Sequence, residues 1–166
     1  MYKLMGGSII MLCFITFGVY KSFCIRRRLK CLREFRLMIE ALRTEISFCA
    51  IPLSRAAREI GERFSNECFI KFAELIPEVG GQRAFEKAVG KFSDKYFFSA
   101  TDKSCILLMA NGIGRTDVGN QIRQLDYTIS ELDKIIMEAS GECSQKTRGY
   151  INGSVLVGAF FVLMLM

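Results

Sequence analysis

Side chains that carry acid–base or metal chemistry are few in this 166-residue sequence, which contains no histidine. The absence of histidine excludes His-based proton transfer, Ser-His and Cys-His nucleophilic pairs, and the commonest zinc and haem ligands. Paired carboxylates remain at Glu40 and Glu45 and in the group Asp126, Glu131 and Asp133, but we expect each set on a solvated helix face among Lys and Arg. The residue types therefore predict no catalytic site, and we interpret the chain as a protein that is not an enzyme.

Seven cysteines are spread along the chain, and no two of them form a Cys-x-x-Cys pair. They lie at positions 13, 24, 31, 49, 68, 105 and 143. This spacing is typical of small apolar side chains in a reducing compartment and predicts neither a disulfide framework nor a metal site. The segment Asn111-Gly-Ile-Gly114 superficially resembles a phosphate loop but lacks the preceding strand and the Gly-Lys-Ser/Thr ending. We interpret it as a helix–helix turn with positive φ at Gly112 and Gly114, and no cofactor is predicted.

The formal net charge of +6 arises from 23 basic and 17 acidic residues, and the excess is concentrated in one place. A basic cluster follows the first apolar run, with Glu34 as its only acid, and consists of Lys21, Arg26, Arg27, Arg28, Lys30, Arg33 and Arg36. Residues 37–150 are nearly balanced, with 15 basic and 16 acidic side chains. A nucleic-acid-binding domain distributes its basic residues over the folded surface, so nucleic acid is not expected as a partner. A cluster beside an apolar run is typical of the cytoplasmic flank of a membrane segment.

Two apolar runs lie near the chain ends, Leu4–Tyr20 and Tyr150–Met166. Each is long enough for a helix of roughly 25 Å, the short end of a membrane span. Basic residues flank the inner side of both runs, so the positive-inside rule places both termini outside the cell membrane. The prediction is an N-terminal transmembrane anchor at 1–23, a cytoplasmic helical domain at 24–149 and a C-terminal transmembrane anchor at 150–166.

Each apolar run also has an alternative interpretation. A cleaved signal peptide is disfavoured because no small-x-small cleavage site follows the first run and Arg26–Arg28 lie on the wrong side of it. The second run follows Lys146 and Arg148. Its alternative is a tilted helix, or a buried helix that does not fully span the bilayer. Two small-xxx-small patterns in this region permit close helix contact; they are Gly149/Gly153 and Ser154/Gly158.

Apolar residues at alternating steps of three and four mark two long helices with heptad patterning. The first seam consists of Leu32, Phe35, Ile39, Leu42, Ile46 and Cys49. The second consists of Val118, Ile122, Leu125, Ile129, Leu132, Ile136, Ala139 and Cys143. The first seam leaves one anchor and the second leads to the other, so the two helices are expected to run antiparallel.

Shorter amphipathic segments lie between the two seams, and no stretch alternates with the period of two that strands require. We expect these helices to end at Pro or Gly and to begin at residues whose side chains accept hydrogen bonds. The expected ends are Pro52, and Pro77 with Gly80 and Gly81; the expected caps are Thr101 or Asp102, and Thr116 or Asp117. The predicted fold class is all-α, a cytoplasmic antiparallel helical bundle flanked by N- and C-terminal transmembrane helices.

Four groups of residues carry a resemblance to a known family. They are Lys3, Gly6, Gly7 and Gly18; Leu42, Glu45, Ile46, Pro52, Leu53 and Ala56; Gly114, Thr116, Asp117 and Gln121; and Lys146, Arg148 and Gly153. The motifs Leu-x2-Glu-Ile-x5-Pro-Leu-x2-Ala and Gly-x-Ser/Thr-Asp-x3-Gln are fairly specific in combination. On these residues the chain resembles the stage III sporulation protein AB family of endospore-forming bacteria along essentially its whole length. It departs from the family pattern at Phe48, Ile113 and Gly119.

The resemblance implies a function as well as a fold. It implies a cytoplasmic part similar to the helical domain of platform proteins from type II secretion and type IV pilus machines. It also implies a transport complex in the mother-cell membrane around the forespore. The implied partners are a secretion-type ATPase, stage III sporulation protein AA, and further stage III and stage II sporulation proteins.

A platform needs a rigid surface at a fixed distance from the bilayer, so the turns at the ends of the long helices are its candidate partner-binding tip. The predicted tip residues are Pro52, Leu53, Gly114, Arg115, Thr116, Asp117 and Gln121. Capping and helix-packing hydrogen bonds are the alternative role for Asp117 and Gln121. The alternative function is a membrane-anchored helical-hairpin signalling transducer, and an anchored enzyme is disfavoured by the missing chemistry.

Overall fold

The computed structural model describes the backbone of residues 2–49, 51–111, 113–114 and 117–165, and their side chains apart from residues 2–10, 49, 148, 151, 161 and 163–165. Every regular element in these described ranges is helical. The elements are α1 (Tyr2–Thr44), a π-helix (Glu45–Cys49), α2 (Leu53–Arg63), α3 (Glu67–Val79), α4 (Gly81–Phe92), α5 (Ala100–Leu108) and α6 (Val118–Leu165). The all-α prediction is confirmed. The π-helix between α1 and Pro52 is a feature that the heptad pattern did not predict.

The chain divides into two compact units. The central unit consists of Lys30–Met137, and the terminal unit combines Met1–Leu29 with Glu138–Met166. Helices α2 to α5 belong entirely to the central unit, whereas α1 and α6 contribute residues to both.

The core of the central unit is built on the inner face of α1. Leu32, Phe35 and Leu42 are buried there, as the heptad spacing predicts. The Phe35 ring lies edge-to-face at 5.8 Å from the Phe69 ring of α3 and at 5.2 Å from the Phe98 ring, measured between centroids. Such pairs contribute about 0.5–1.5 kcal/mol beyond the burial of their area. Phe98 comes from the segment between α4 and α5, so this aromatic segment joins the core.

Helices α2, α3 and α4 pack successively against one another. Phe72 of α3 and Phe85 of α4 stack edge-to-face with their ring centroids 5.1 Å apart. Helix α2 approaches α3 closely at Gly61, where a Cβ atom would lie 2.8 Å from the backbone nitrogen of Ile70. A side chain at Gly61 would therefore force the two helices apart.

Side chains cap the first turns of α3 and α5. The Asn66 side chain accepts hydrogen bonds from the amides two and three residues later, at 3.1 and 3.2 Å. At α5 the Ser99 hydroxyl accepts from the Asp102 amide at 3.1 Å, and the Asp102 carboxylate accepts from the Ser99 amide at 2.8 Å. The expectation that Thr101 or Asp102 is the cap is wrong by two or three residues, because Asp102 completes a reciprocal capping box from the third helical position.

The expectation that Pro77, with Gly80 and Gly81, ends α3 is wrong for Pro77 and right for Gly80. The helix passes through Pro77 and continues to Val79. Gly80 follows as the residue after the helix, and its amide donates to the Ile76 carbonyl at 3.0 Å. Proline is tolerated here because it lies in the last turn, where only one backbone donor is missing and no further turns depend on it.

Within the central unit α1 and α6 run antiparallel, as the two seams predict. Arg36 Nε donates to the Asp133 carboxylate at 3.0 Å, and Arg43 forms a hydrogen-bonded ion pair with Asp126. The residue that lies further along α1 thus pairs with the residue that lies earlier in α6. The hydrogen bond to Asp133 raises the pKa of Arg36, which stays charged.

The inner face of α6 in the central unit follows the predicted seam from its second member onward. Leu125 and Leu132 are fully buried, and Ile122 and Ile129 are half-buried. Val118 is 54% exposed, so its predicted place in the seam is wrong. Val118 is the first residue of α6, before the helix reaches the core.

The terminal unit contains a close antiparallel contact between α1 and α6. A Cβ atom at Gly18 would lie 2.4 Å from Ser154 Oγ and 2.9 Å from the Tyr150 carbonyl oxygen. A Cβ atom at Gly158 would lie 3.6 Å from the Cβ of Phe14. The Ser154/Gly158 pattern therefore lies at the helix contact, as the small-residue spacing predicts.

The Gly149/Gly153 pattern does not lie at that contact. A Cβ atom at either glycine would meet no atom within 4 Å. Two patterns with identical spacing therefore differ in their contacts, because only one of them faces α1.

Large apolar side chains are exposed on the terminal unit. They are Leu12, Phe17, Val19, Tyr20, Phe23, Tyr150, Val155, Leu156, Val157 and Phe160. Among the described residues, no helix has the length and apolar character needed to cross a membrane. The transmembrane helices predicted at 1–23 and 150–166 are therefore not supported, and the side chains of residues 1–10 and 163–166 lie outside the described ones.

Candidate functional site

Three turns of the central unit meet at one place: the start of α2, the turn between α3 and α4, and the turn before α6. A Cβ atom at Gly81 would lie 2.8 Å from the Ile113 carbonyl oxygen and 3.2 Å from Leu53 Cδ2. A Cβ atom at Gly114 would lie 3.5 Å from the same Leu53 carbon. We call Leu53, Gly81, Ile113 and Gly114 the tip cluster.

Glycine is required at two turns of this site. Gly80 and Gly114 have φ values of +77° and +73°, in the left-handed region that side chains disfavour. The predicted positive φ at Gly114 is confirmed, whereas Gly112 lies outside the described residues. The α3–α4 turn and the turn before α6 touch through their backbones. Gly81 therefore has no room for a side chain.

A cavity of about 390 Å³ opens beside the tip cluster. Its lining includes Gly80, Gly81, Gln82, Arg83, Glu86 and Gly114. Glu86 accepts a hydrogen bond from Gln82 Nε2 at 3.2 Å. Arg83 is exposed and has no ion-pair partner among the described residues, so its guanidinium is available to an external carboxylate.

The structure brings two of the predicted tip residues, Leu53 and Gly114, into the cluster. Pro52 is exposed beside Leu53, and its carbonyl accepts from the Arg55 and Ala56 amides at 2.9 and 3.0 Å, which starts α2. Arg115 and Thr116 lie outside the described residues.

Asp117 immediately precedes α6, and Gln121 lies in the first turn of that helix. The Asp117 carbonyl accepts from the Gln121 amide at 3.1 Å, and the Asp117 carboxylate accepts from the Asn120 side chain. The carbonyl bond places Asp117 at the N-cap position of α6, but its carboxylate accepts here from a side chain and not from a backbone amide of the first turn. The functional role of both residues stays a prediction.

Sequence reasoning missed Gly81, Gln82 and Arg83 as part of this site. The Gly80-Gly81 pair is the signal in the sequence, but such a pair predicts a helix stop and not a contact between turns. Gln124 was also missed: its Nε2 donates to the Leu108 carbonyl at 2.8 Å and ties α6 to the end of α5. A single glutamine in an amphipathic pattern carries no signal for such a bond.

Buried thiols of the central unit are held in their neutral form. Burial raises the pKa of Cys68 to about 12 and contributes most to raising that of Cys105 to about 11. Both thiols are therefore protonated at neutral pH and are weak nucleophiles. Within the described part of the chain, no group of three or more His, Cys, Asp or Glu side chains is arranged to hold a metal ion.

A family model described as stage III sporulation protein AB matches residues 3–166 of the sequence. The chain belongs to this family. The resemblance inferred from the two motifs is confirmed, and with it a role in sporulation. No curated protein matches the chain.

A solved structure of stage III sporulation protein AB shares this fold. It superimposes with a TM-score of 0.66 at 17% sequence identity, over 70% of this chain and 96% of the solved one. At such low identity the likeness concerns the fold alone.

Residues of the first motif of the stage III sporulation protein AB family serve two purposes in this chain. Leu42, Ile46 and Ala56 are buried in the core of the central unit. Leu53 belongs to the tip cluster, and Glu45 lies 3.7 Å from Arg63, an ion pair between the π-helix and α2. Some residues of the motif therefore pack in the core, and Leu53 contributes to the tip cluster.

Proposed function

We propose that this stage III sporulation protein AB family member is a non-enzymatic platform subunit of a secretion-like transport complex in the mother-cell membrane during endospore formation. Its tip cluster contacts a secretion-type ATPase resembling stage III sporulation protein AA. Other stage III and stage II sporulation proteins complete the complex. The observation that carries this proposal is the meeting of three turns at Leu53, Gly81 and Gly114.

Rigidity of the tip supports a platform role. Ile113 is buried, and Gly81 lies so close to the Ile113 carbonyl oxygen that even a methyl group would clash, so the described residues of these turns are closely packed. A surface that is already ordered loses little conformational entropy when a partner binds. The tip cluster is therefore suited to transmit force or position to a partner.

Exposed groups beside the tip cluster supply partner chemistry. Pro52 and Arg83 are both exposed, and arginine is among the residues enriched at the energetic centres of protein interfaces. A partner surface that carries carboxylates would complement Arg83.

Apolar surface on the terminal unit supports a membrane location. Phe17, Phe23 and Leu156 are more than half exposed, which is unfavourable in water and favourable in lipid. The basic cluster that follows Tyr20 has the sign expected at the cytoplasmic face. We therefore place residues 21–149 in the mother-cell cytoplasm, the two chain ends in the membrane and both termini outside, as a multi-pass topology.

Charge reversal on α4 tests the tip contact. Arg83→Glu places a negative charge in the lining of the tip cavity, whereas Lys91→Glu makes the same kind of change two turns further along α4, roughly 12 Å away. The full chain with either change is co-expressed with the ATPase, and the amount of co-purified ATPase is measured. We expect Arg83→Glu to weaken the complex about tenfold and Lys91→Glu to leave it within about twofold.

Helical content and melting temperature of both variants establish that they fold. Equal retention of ATPase by a folded Arg83→Glu variant would overturn the tip contact. Equal loss in both variants would show that net charge, not the tip, governs association.

A further inference from the structure

A second groove lies in the terminal unit, between α1 and α6, with a volume of about 350 Å³. Its lining consists of Arg26, Leu29, Ser140, Cys143, Ser144 and Thr147. One wall therefore carries a cation and an aliphatic side chain, and the other carries three hydroxyls and a thiol.

Polar groups in this groove have unused hydrogen-bonding capacity. Arg26 is exposed and has no ion-pair partner among the described residues, and Ser140 has no side-chain hydrogen bond there. The Ser144 hydroxyl donates to the Gly141 carbonyl of its own helix, at 2.9 Å, and within the described part of the chain it has no bond to another helix. A guanidinium with nearby hydroxyls is the donor set that binds phosphate oxygens.

The nearby carboxylate does not cancel this charge. Glu142 accepts from Lys146 Nζ at 3.0 Å and lies 3.9 Å from Arg28 Nη1, so its negative charge is already matched. Arg26 therefore remains an uncompensated positive charge at the groove.

Apolar side chains lie in and near the groove. Leu29 lines the groove and is buried, and Phe23, one turn before Arg26, is 54% exposed. An occupant with both a phosphate and an acyl chain satisfies both kinds of surface, whereas a free anion satisfies only one.

We propose that this groove binds the headgroup phosphate of an anionic phospholipid, with Arg26 as the charged ligand and Ser140 and Ser144 as hydroxyl donors. The inference rests on the proposed membrane location. It adds a lipid-specific site to the general attraction that a basic cluster exerts on an anionic bilayer.

Matched arginine variants distinguish a site from general attraction. The full chain in detergent is titrated with phosphatidylglycerol or phosphatidylcholine, and bound lipid is counted by native mass spectrometry. Arg26→Gln and Arg27→Gln remove the same charge, but only Arg26 lines the groove. We expect Arg26→Gln to weaken phosphatidylglycerol binding about tenfold or more, and Arg27→Gln to weaken it about twofold.

Hydroxyl removal without charge change provides a second measurement. The double variant Ser140→Ala/Ser144→Ala is expected to weaken phosphatidylglycerol binding about fivefold and to leave phosphatidylcholine binding unchanged. Millimolar inorganic phosphate should not displace the lipid.

Equal effects of Arg26→Gln and Arg27→Gln, unchanged binding in the hydroxyl variant, or displacement by inorganic phosphate would each overturn the lipid site. Failure of the proposed membrane location is recognised separately, because the full chain would then leave the membrane fraction on carbonate washing.

Discussion

Asn66 closes the first turn of α3 from a buried position. Its side chain is 6% exposed and accepts hydrogen bonds from the amides of Cys68 and Phe69. Both of those residues are fully buried, so water cannot replace the lost acceptor. An unsatisfied buried donor is unfavourable by about 1–3 kcal/mol.

Replacing this cap should destabilise the central unit measurably. We expect Asn66→Ala to lower the free energy of unfolding by about 1–2 kcal/mol. Asn66→Asp keeps a side-chain oxygen at the same place and should retain most of the stability. The measurement is urea unfolding of the full chain in detergent, followed by circular dichroism; an alanine variant as stable as the parent would contradict the role of the cap.

Helix α1 approaches α6 closely at Gly18 in the terminal unit. At Gly18 a methyl group would meet both a side chain, Ser154, and a backbone oxygen, that of Tyr150. The side chain can rotate away, but the backbone oxygen moves only if the helices separate. Overpacking of this kind is unfavourable by about 1–3 kcal/mol, whereas alanine in place of glycine favours a helix by about 1 kcal/mol.

Glycine-to-alanine changes on the two helices should therefore have opposite results. Gly18→Ala is expected to lower the melting temperature of the full chain, because the clash outweighs the gain in helix propensity. Gly153→Ala is the matched control, since it meets no atom within 4 Å and should leave the melting temperature equal or higher. Thermal unfolding in detergent measures both, and a Gly18→Ala variant that melts at or above the control would disprove close packing at this point.

Ion pairs between α1 and α6 contribute to pairing specificity more than to stability. The side chains of the Arg36–Asp133 pair are 28% and 51% exposed. Partly exposed pairs of this kind contribute about 0.2–1 kcal/mol. Burial of Leu125 and Leu132 on the same helix accounts for more of the packing, at roughly 1.5–3 kcal/mol for each side chain.

The two units of the molecule differ in how they bury apolar surface. All the largest fully buried side chains among the described residues belong to Lys30–Met137, including Phe35, Phe72 and Ile106. The terminal unit instead exposes large apolar side chains such as Leu156 and Phe160. The central unit therefore has a core of its own, and the terminal unit presents a surface suited to lipid.

Separating the units should give two different behaviours. We expect a fragment of residues 30–137 to fold without detergent and to unfold cooperatively in urea, with a free energy of about 5 kcal/mol or more. In carbonate-washed cell extracts the fragment should stay in the supernatant and the full chain should remain with the membranes. An unfolded fragment would show that the core depends on the terminal unit, and a full chain released by carbonate would contradict the membrane location.

Much of the fold was predictable because it depends on spacing within a few residues. The steps of three and four predict two long helices, and the motifs around Leu42 and Gly114 indicate the family that the comparison confirmed. Boundaries were less predictable. Ser99 rather than Thr101 caps α5, and Pro77 lies inside α3, because several local signals compete within one turn.

Contacts between distant segments could not be predicted from the sequence and are seen only in the folded chain. Ser154/Gly158 and Gly149/Gly153 have the same spacing, but which pair faces α1 depends on how α6 is rotated about its axis. Leu53, Gly81 and Gly114 come together because the helices that separate them in the sequence pack against one another. The sequence alone therefore does not identify Gly81 as a site residue. Periodicity is a local property, so the order of the amino acids determines it. The meeting of turns that lie far apart in the sequence is a property of packing, which arises only when the helices of the central unit bury their apolar faces together.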